Sequence, residues 1–349
     1  MRLWLGRMLA VSMLLVVTAC SSVSYYTQAV VGQLSILGKR KSLDRLIADD
    51  TTNQTLRNRL QFIQSVLAFA DENGLPVNGA YSAYVDTDRS YVVWNVFAAP
   101  ALDVELKRFC YPIVGCLAYR GFFAEQDARD YAQSLAREGL DVYVGGVAAY
   151  STLGWFDDPV LNTFLARSDE RLASLLFHEL AHRVVFVKGD TQFNESFATT
   201  VERTLLKWWL IERGQASVFD AYLADEEKRR QSIALITDAR RALAEIYAAD
   251  EDQSRRMAGK QLRLARLKED YEQLEQTWGT SGPYAGWMSQ PLNNAQLGTV
   301  AIYHDLVPHF EALLIQSHNL PAFLDKVREL AKESEEVRER RLTALLERY

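Results

Sequence analysis

The stretch LLFHELAHRVVFVKGDTQFNESFATTVE, residues 175–202, sets His178, Glu179 and His182 among apolar neighbours in a chain that has only five histidines. A spacing of four residues is one helical turn, so both imidazoles point toward a common site. Two imidazoles so placed suit a zinc ion, one per chain, and Glu179 is rotated off the metal but near enough to act as general base on its water. A catalytic zinc takes three protein ligands and leaves a position open. Glu195 is the expected third. A helix that turns at Gly189-Asp190 and restarts near Thr191 or Gln192 brings it, at a rise of ~1.5 Å per residue, to within about 5 Å of the level of His182. Asn194 and Glu202 are expected behind the ligands, Glu202 because it lies seven residues from Glu195 on the same helix face; such acceptors fix the tautomer of a ligating histidine. The metal-free alternative is a pair of core histidines hydrogen-bonded to Glu195 and Glu202.

The element carrying these groups must be buried. Ser168 predicts a helix cap, Asp169 and Glu170 a favourable first turn, and Lys188-Gly189 a stop, which gives one helix of about twenty residues. Leu172, Leu176, Leu180 and Val184 form a stripe, and Leu175, Phe177, Val185 and Phe186 make the remainder apolar. An unpaired polar group in such a place costs several kcal/mol, so the histidines and Glu179 need partners.

Elsewhere the pattern is α+β. Residues 42–73 have helical spacing in two segments, ended by ENGLP. Residues 80–155 carry short β-branched and aromatic runs, with DTDR as a hairpin turn and AEQDARDYAQSLAREG as an intervening helix, which predicts a small mixed or antiparallel sheet packed on the HExxH helix. After Asp157-Asp158-Pro159 nearly everything reads as helix. Over 217–278, Leu264, Leu267, Tyr271, Leu274 and Trp278 alternate spacings of three and four, the pattern of a long helical hairpin. Two further helices are expected at roughly 294–317 and 321–348. The organisation is then a leader (1–19), a tether (20–41), an α+β catalytic region (42–215), the hairpin (216–280) and C-terminal helices that complete the site (281–349).

A hydrophobic share of 48%, a charged share of 24% and a net charge of −6 give no electrostatic reason to bind nucleic acid. Arg2 and Arg7, the apolar run Met8–Val17 and the small residues before Cys20 read as a secretory signal. VTAC resembles the lipobox of bacterial lipoproteins, which implies cleavage before Cys20 and its lipidation; Ser21, not being aspartate, implies transfer to the periplasmic face of the outer membrane. Cys110 and Cys116 are then the remaining thiols, either a disulfide or an inert buried pair.

HELAH and NESFATTVE together resemble the paired motifs of gluzincin zinc metallopeptidases, in particular their aminopeptidases. The lipobox, HELAH, FNESFA and NNAQLGTVAIYHDLVPHF together are similar to a family of bacterial lipoproteins described as aminopeptidases. The resemblance implies a zincin-like fold, a peptide substrate, zinc on His178, His182 and Glu195, Glu179 activating the zinc-bound water, and a downstream tyrosine, Tyr303, beside the developing oxyanion. Asn293 and Asn294 are candidate substrate-amide contacts or helix caps. Tyr150 lies on a run that can pair with an extended peptide. Two departures stand out. Twelve residues separate His182 from Glu195, which demands a tight turn. The stretch YVGGVAAYSTLG has no carboxylate for a substrate ammonium, which leaves Asp157 and Asp158 as candidates. The alternative function is a periplasmic lipoprotein scaffold with a non-catalytic metal site and partners on its helical hairpin.

Overall fold

The computed structural model describes residues 27–28, 30–111, 115–149, 157–300 and 306–346. The leader, Cys20, Tyr150, Tyr303 and His304 lie outside them. The chain forms two compact units, one of residues up to Arg40 with Thr87–Ala148 and Asn293–Thr299, the other of Lys41–Asp86, Ala149–Leu292 and the chain from Val300. Among the described residues no helix is long and apolar enough to cross a membrane.

In the first unit, α1 (30–38) is followed by an antiparallel sheet centred on β3 (Val93–Pro100), which lies between β6 (Arg120–Phe122) and β7 (Leu140–Val147). Alternation sends Trp94, Val96 and Ala98 to one face, where Ala128, Ala132 and Leu135 of α4 (Glu125–Arg137) close a small core. A hairpin of β4 (Phe109–Tyr111) and β5 (Gly115–Leu117) sets Cys110 directly opposite Cys116, and the two form a disulfide. The short α11 (Asn294–Leu297) packs on β3 and β7.

The second unit holds a three-stranded mixed sheet. In it β2 (Ala83–Val85) pairs antiparallel with β1 (Lys41–Ser42) and parallel with β8 (Val160–Leu161). DTDR is therefore no hairpin turn: the strands on either side of it, β2 and β3, pair in different sheets. Helices α2 (Leu43–Ala48) and α3 (Gln54–Glu72) form from the predicted segments. Asn53 caps α3 through bonds from the Thr55 and Leu56 amides, and Leu60, Ile63, Val66, Leu67 and Ala70 form its buried stripe. After α5 (Asn162–Leu165) come α6 (Asp169–Val184) and α7 (Thr191–Glu212), a packed pair that buries both apolar residues and a group of polar ones, Ser174, His182 and Glu202 among them. Leu172, Leu176, Phe177 and Leu180 of α6 and Phe193, Phe197, Val201 and Leu205 of α7 are all fully buried, with Phe177 packed on Phe69 and both Phe193 and Phe197 on Phe310. Truncating any one of those leucines to alanine should cost about 2–5 kcal/mol.

The HExxH helix is shorter than its sequence signals predict. It ends at Val184, not at Lys188, because Val185 is already extended and Val187 is bonded through both its amide and its carbonyl to the side chain of Asn194. Then α8 (Ala216–Ala248) and α9 (Gln253–Trp278) form the helical hairpin, with Ile236 and Leu243 buried on one arm and Leu264, Leu267 and Tyr271 on the other. The helix expected over 321–348 is two, α13 (Leu320–Leu330) and α14 (Glu335–Leu346), because Ser334 followed by Glu335 and Glu336 is itself a helix start. Of the segment expected at 294–317, the described parts are α11 and α12 (Val307–Ser317).

Candidate metal centre

The site is built where α6 and α7 run side by side. His178 Nε2 lies 3.2 Å from Glu195 Oε2 and 3.2 Å from His182 Nε2, and His182 Nε2 lies 3.6 Å from Glu195 Oε1. These three residues are a group that can hold a metal ion. The spacing is itself a test of fit. Two ligands at ~2.0–2.1 Å from a tetrahedral zinc stand roughly 3.3–3.4 Å apart; the two separations from His178 Nε2, 3.2 Å each, come close to that, and His182 Nε2 stands 3.6 Å from the other oxygen of Glu195. Two imidazoles and one carboxylate are also a donor set that zinc accepts.

Behind His178 stands a chain of acceptors and donors. Its Nδ1 lies 2.9 Å from Glu202 Oε2, and Glu202 Oε1 accepts from Ser174 Oγ at 2.5 Å and from the Tyr222 hydroxyl. Ser174 is one turn before His178 on α6, and Tyr222 comes from α8. A carboxylate on Nδ1 leaves Nε2 as the free lone pair and fixes the plane of the ring. Asn194 does not stand behind the ligands as the sequence suggested. It clips the α6–α7 connection by its two bonds to Val187. Asp190 caps α7 through the Phe193 amide, and its carboxylate is held by Arg338 of α14, at 3.0 Å from Nε and 2.5 Å from Nη2. That pair is nearly dry, with 6% and 12% of the two side chains exposed. The tight turn before Glu195 is thus held at both ends.

The electrostatics follow from this packing. Burial opposes a charge on His178, but hydrogen bonds to Glu195 and Glu202 and the charges of Glu202 and Glu179 outweigh it and push its pKa up to about 10. Burial and the charge of His178 push His182 down to about 4, against the pull of Glu195. Glu202, although buried, is held below the usual carboxylate range by its bonds to His178, Ser174 and Tyr222. Glu179 moves the other way. Burial raises it, His178 partly offsets that, and the charges of Glu195, Asp158 and Glu202 raise it further.

Glu179 also shares its surroundings with Asp158, which is 6% exposed. Asp157 is exposed, and its carboxylate lies against Gly79. Of the two acids after the sheet, Asp158 is the one whose charge bears on Glu179. Asn293 and Asn294 are committed within their own unit: Asn293 caps α11 through the Gln296 amide and donates to Val142 O, and Asn294 donates to Pro100 O and Ala101 O. Asn293 has the capping role the sequence allowed, whereas Asn294 ties α11 to the end of β3.

Ser174, Tyr222, Asp190 and Arg338 are functional neighbours that sequence reasoning passed over. Ser174 was legible, since it repeats the four-residue spacing of His178 and His182. Tyr222 and Arg338 lie 20 and 148 residues from the groups they bind, with no local signal.

Over residues 24–342 the chain matches the profile of a family described as "Putative aminopeptidase". No curated protein and no solved structure matches it.

Proposed function

The chain belongs to that aminopeptidase family, and from this premise we propose that it is a zinc-dependent aminopeptidase of zincin type whose centre is His178, His182 and Glu195. The observation that carries the reading is the convergence of His178 Nε2, His182 Nε2 and the Glu195 carboxylate within 3.2–3.6 Å of one another, with Glu202 fixed on the far nitrogen of His178. Zinc held by these three residues would supply a Lewis acid for the carbonyl.

The chain's own groups do the rest. Glu179 takes a proton from the attacking water as its oxygen bonds to the carbonyl carbon, then passes that proton to the amine nitrogen as the C–N bond breaks. A carboxyl raised by burial and by like charges suits both halves of that transfer. Asp158 is the acid proposed to receive the substrate's ammonium group. A buried cation there needs a partner, and Asp158 is buried on the Glu179 side of the turn after the sheet.

Glu179→Gln tests the centre. It should keep zinc and fold while lowering turnover by orders of magnitude, because it removes the proton acceptor and no ligand. Paired peptides with free and N-acetylated ends test the specificity. Cleavage of only the free forms, with Asp158→Asn raising KM selectively, is expected; equal cleavage of both forms would make this an endopeptidase.

A further inference from the structure

We propose that Tyr81 is a catalytic residue of this centre, donating its phenol O–H to the substrate oxygen that becomes negative when water adds to the scissile carbonyl. The inference rests on the hydrolase reading above and deepens it.

The backbone around Tyr81 is the first observation. Tyr81 has φ +57, a left-handed conformation that a bulky side chain rarely takes, and it follows Asn78 at φ +29 and Gly79 at φ +82. Strain of this kind costs on the order of 1–3 kcal/mol and persists only where the surroundings enforce it. Here they do: the Tyr81 amide donates to Asp158 O at 2.8 Å, the Ala80 amide to Val77 O at 2.7 Å, and Ser82 Oγ to Gly79 O at 2.7 Å. Glycine would sit at this position without strain. The chain places a tyrosine there instead.

The second observation is where that turn lies. Arg183, one turn beyond Glu179 on the same face of α6, reaches Asn78 O at 3.5 Å. The strained turn therefore rests on the face of α6 that carries the proposed general base. The Tyr81 ring is buried, 6% exposed, and the charges of Glu179 and Asp158 both bear on its phenol. Among the described residues the hydroxyl has no hydrogen-bond partner. A neutral donor fixed in place beside a reaction centre stabilises an oxyanion without reorganising. Burial keeps this phenol protonated, the form that can donate.

The test is Tyr81→Phe in the zinc-loaded protein. Zinc content and melting temperature should match wild type, kcat should fall by roughly 10²-fold or more, and KM should move little. A phosphinic dipeptide, whose tetrahedral oxygen stands in for the oxyanion, should lose affinity by a comparable factor in calorimetry, while free leucine binds as before. Turnover and phosphinate affinity both within about threefold of wild type, with Glu179→Gln inactive, would overturn the assignment to Tyr81 alone. A loss confined to Tyr303→Phe would overturn it too. Activity surviving in Glu179→Gln would instead remove the hydrolase reading on which it stands.

Discussion

Replacing Glu202 by glutamine should weaken zinc binding without removing a ligand, and the size of the effect can be worked from its contacts. Glu202 makes three bonds: Oε2 to His178 Nδ1 at 2.9 Å, and Oε1 to Ser174 Oγ at 2.5 Å and to the Tyr222 hydroxyl. Glutamine retains one acceptor oxygen, so it can still hold His178 only by turning its amide toward two hydroxyls, which can accept. The geometry survives, but the negative charge that makes the imidazole a better ligand is gone. Loss of such an outer partner costs about 10–100-fold in affinity, or roughly 1.4–2.7 kcal/mol. Tyr222→Phe removes one charge-assisted bond from the same carboxylate and should weaken zinc by a smaller factor, about 3–10-fold. Because Tyr222 acts through Glu202, the double variant should bind zinc no worse than Glu202→Gln within a factor of about two, a coupling that independent sites would not show. Competition with a chromophoric chelator at fixed pH gives all four dissociation constants. Single variants that both stay within twofold of wild type would refute the orienting role. Metal loss in Glu202→Ala, with retention in Glu195→Ala, would show that the two acids had been interchanged.

Zinc uptake should release about one proton per site at pH 7.5, since His178 in the metal-free protein is held at about 10 and must give up its proton to bind. Calorimetry in two buffers of different ionisation heat reads this directly, and a heat independent of buffer would contradict it. By the same linkage, the raised pKa stabilises the metal-free fold fully below the ordinary value of 6.5, and that stability is lost as pH rises toward 10. Arg338→Met should destabilise the fold by about 3–5 kcal/mol by stranding Asp190, and the added change Asp190→Asn, which keeps the cap, should recover part of that in denaturant unfolding; a loss under ~1 kcal/mol would show the pair to be idle. Cys20→Ala should move the protein from the membrane fraction to the soluble periplasm, whereas continued membrane association would sink the proposed lipid anchor.

The parts of the fold that read clearly were those in which local chemistry and burial agree. Asn53 caps α3 and Leu60, Ile63 and Leu67 give its stripe, so that helix could be drawn from sequence alone. Sheets were harder because strand pairing is non-local. Nothing around DTDR says that β2 seeks β8, 75 residues on, while β3 seeks β7. The early end of α6 was hidden for a related reason. Val185, Phe186 and Val187 continue an apolar pattern that a helix could use, and only the side chain of Asn194, placed by the return of α7, draws Val187 out of it.

The same division separates the site's ligands from its supports. The convergence of His178, His182 and Glu195 was legible because helix geometry converts their spacing into direction, and the three form a group that can hold a metal ion. A buried carboxylate such as Glu202 imposes a different demand, for donors of any type from any element. Ser174 meets it from the same helix, whereas Tyr222 meets it from α8, across a connection with no motif of its own. Tyr81 belongs to a third class, since its one clue is a backbone angle that no side-chain pattern encodes. Glu179, the proposed general base, draws on all three. Its spacing put it beside the residues that can hold a metal ion, its burial and like-charged neighbours raise its pKa, and the strained turn at Asn78–Tyr81 reaches the same helix through Arg183. Relaxing that turn should therefore disturb catalysis more than stability, because the strain released on the backbone offsets part of any packing that is lost.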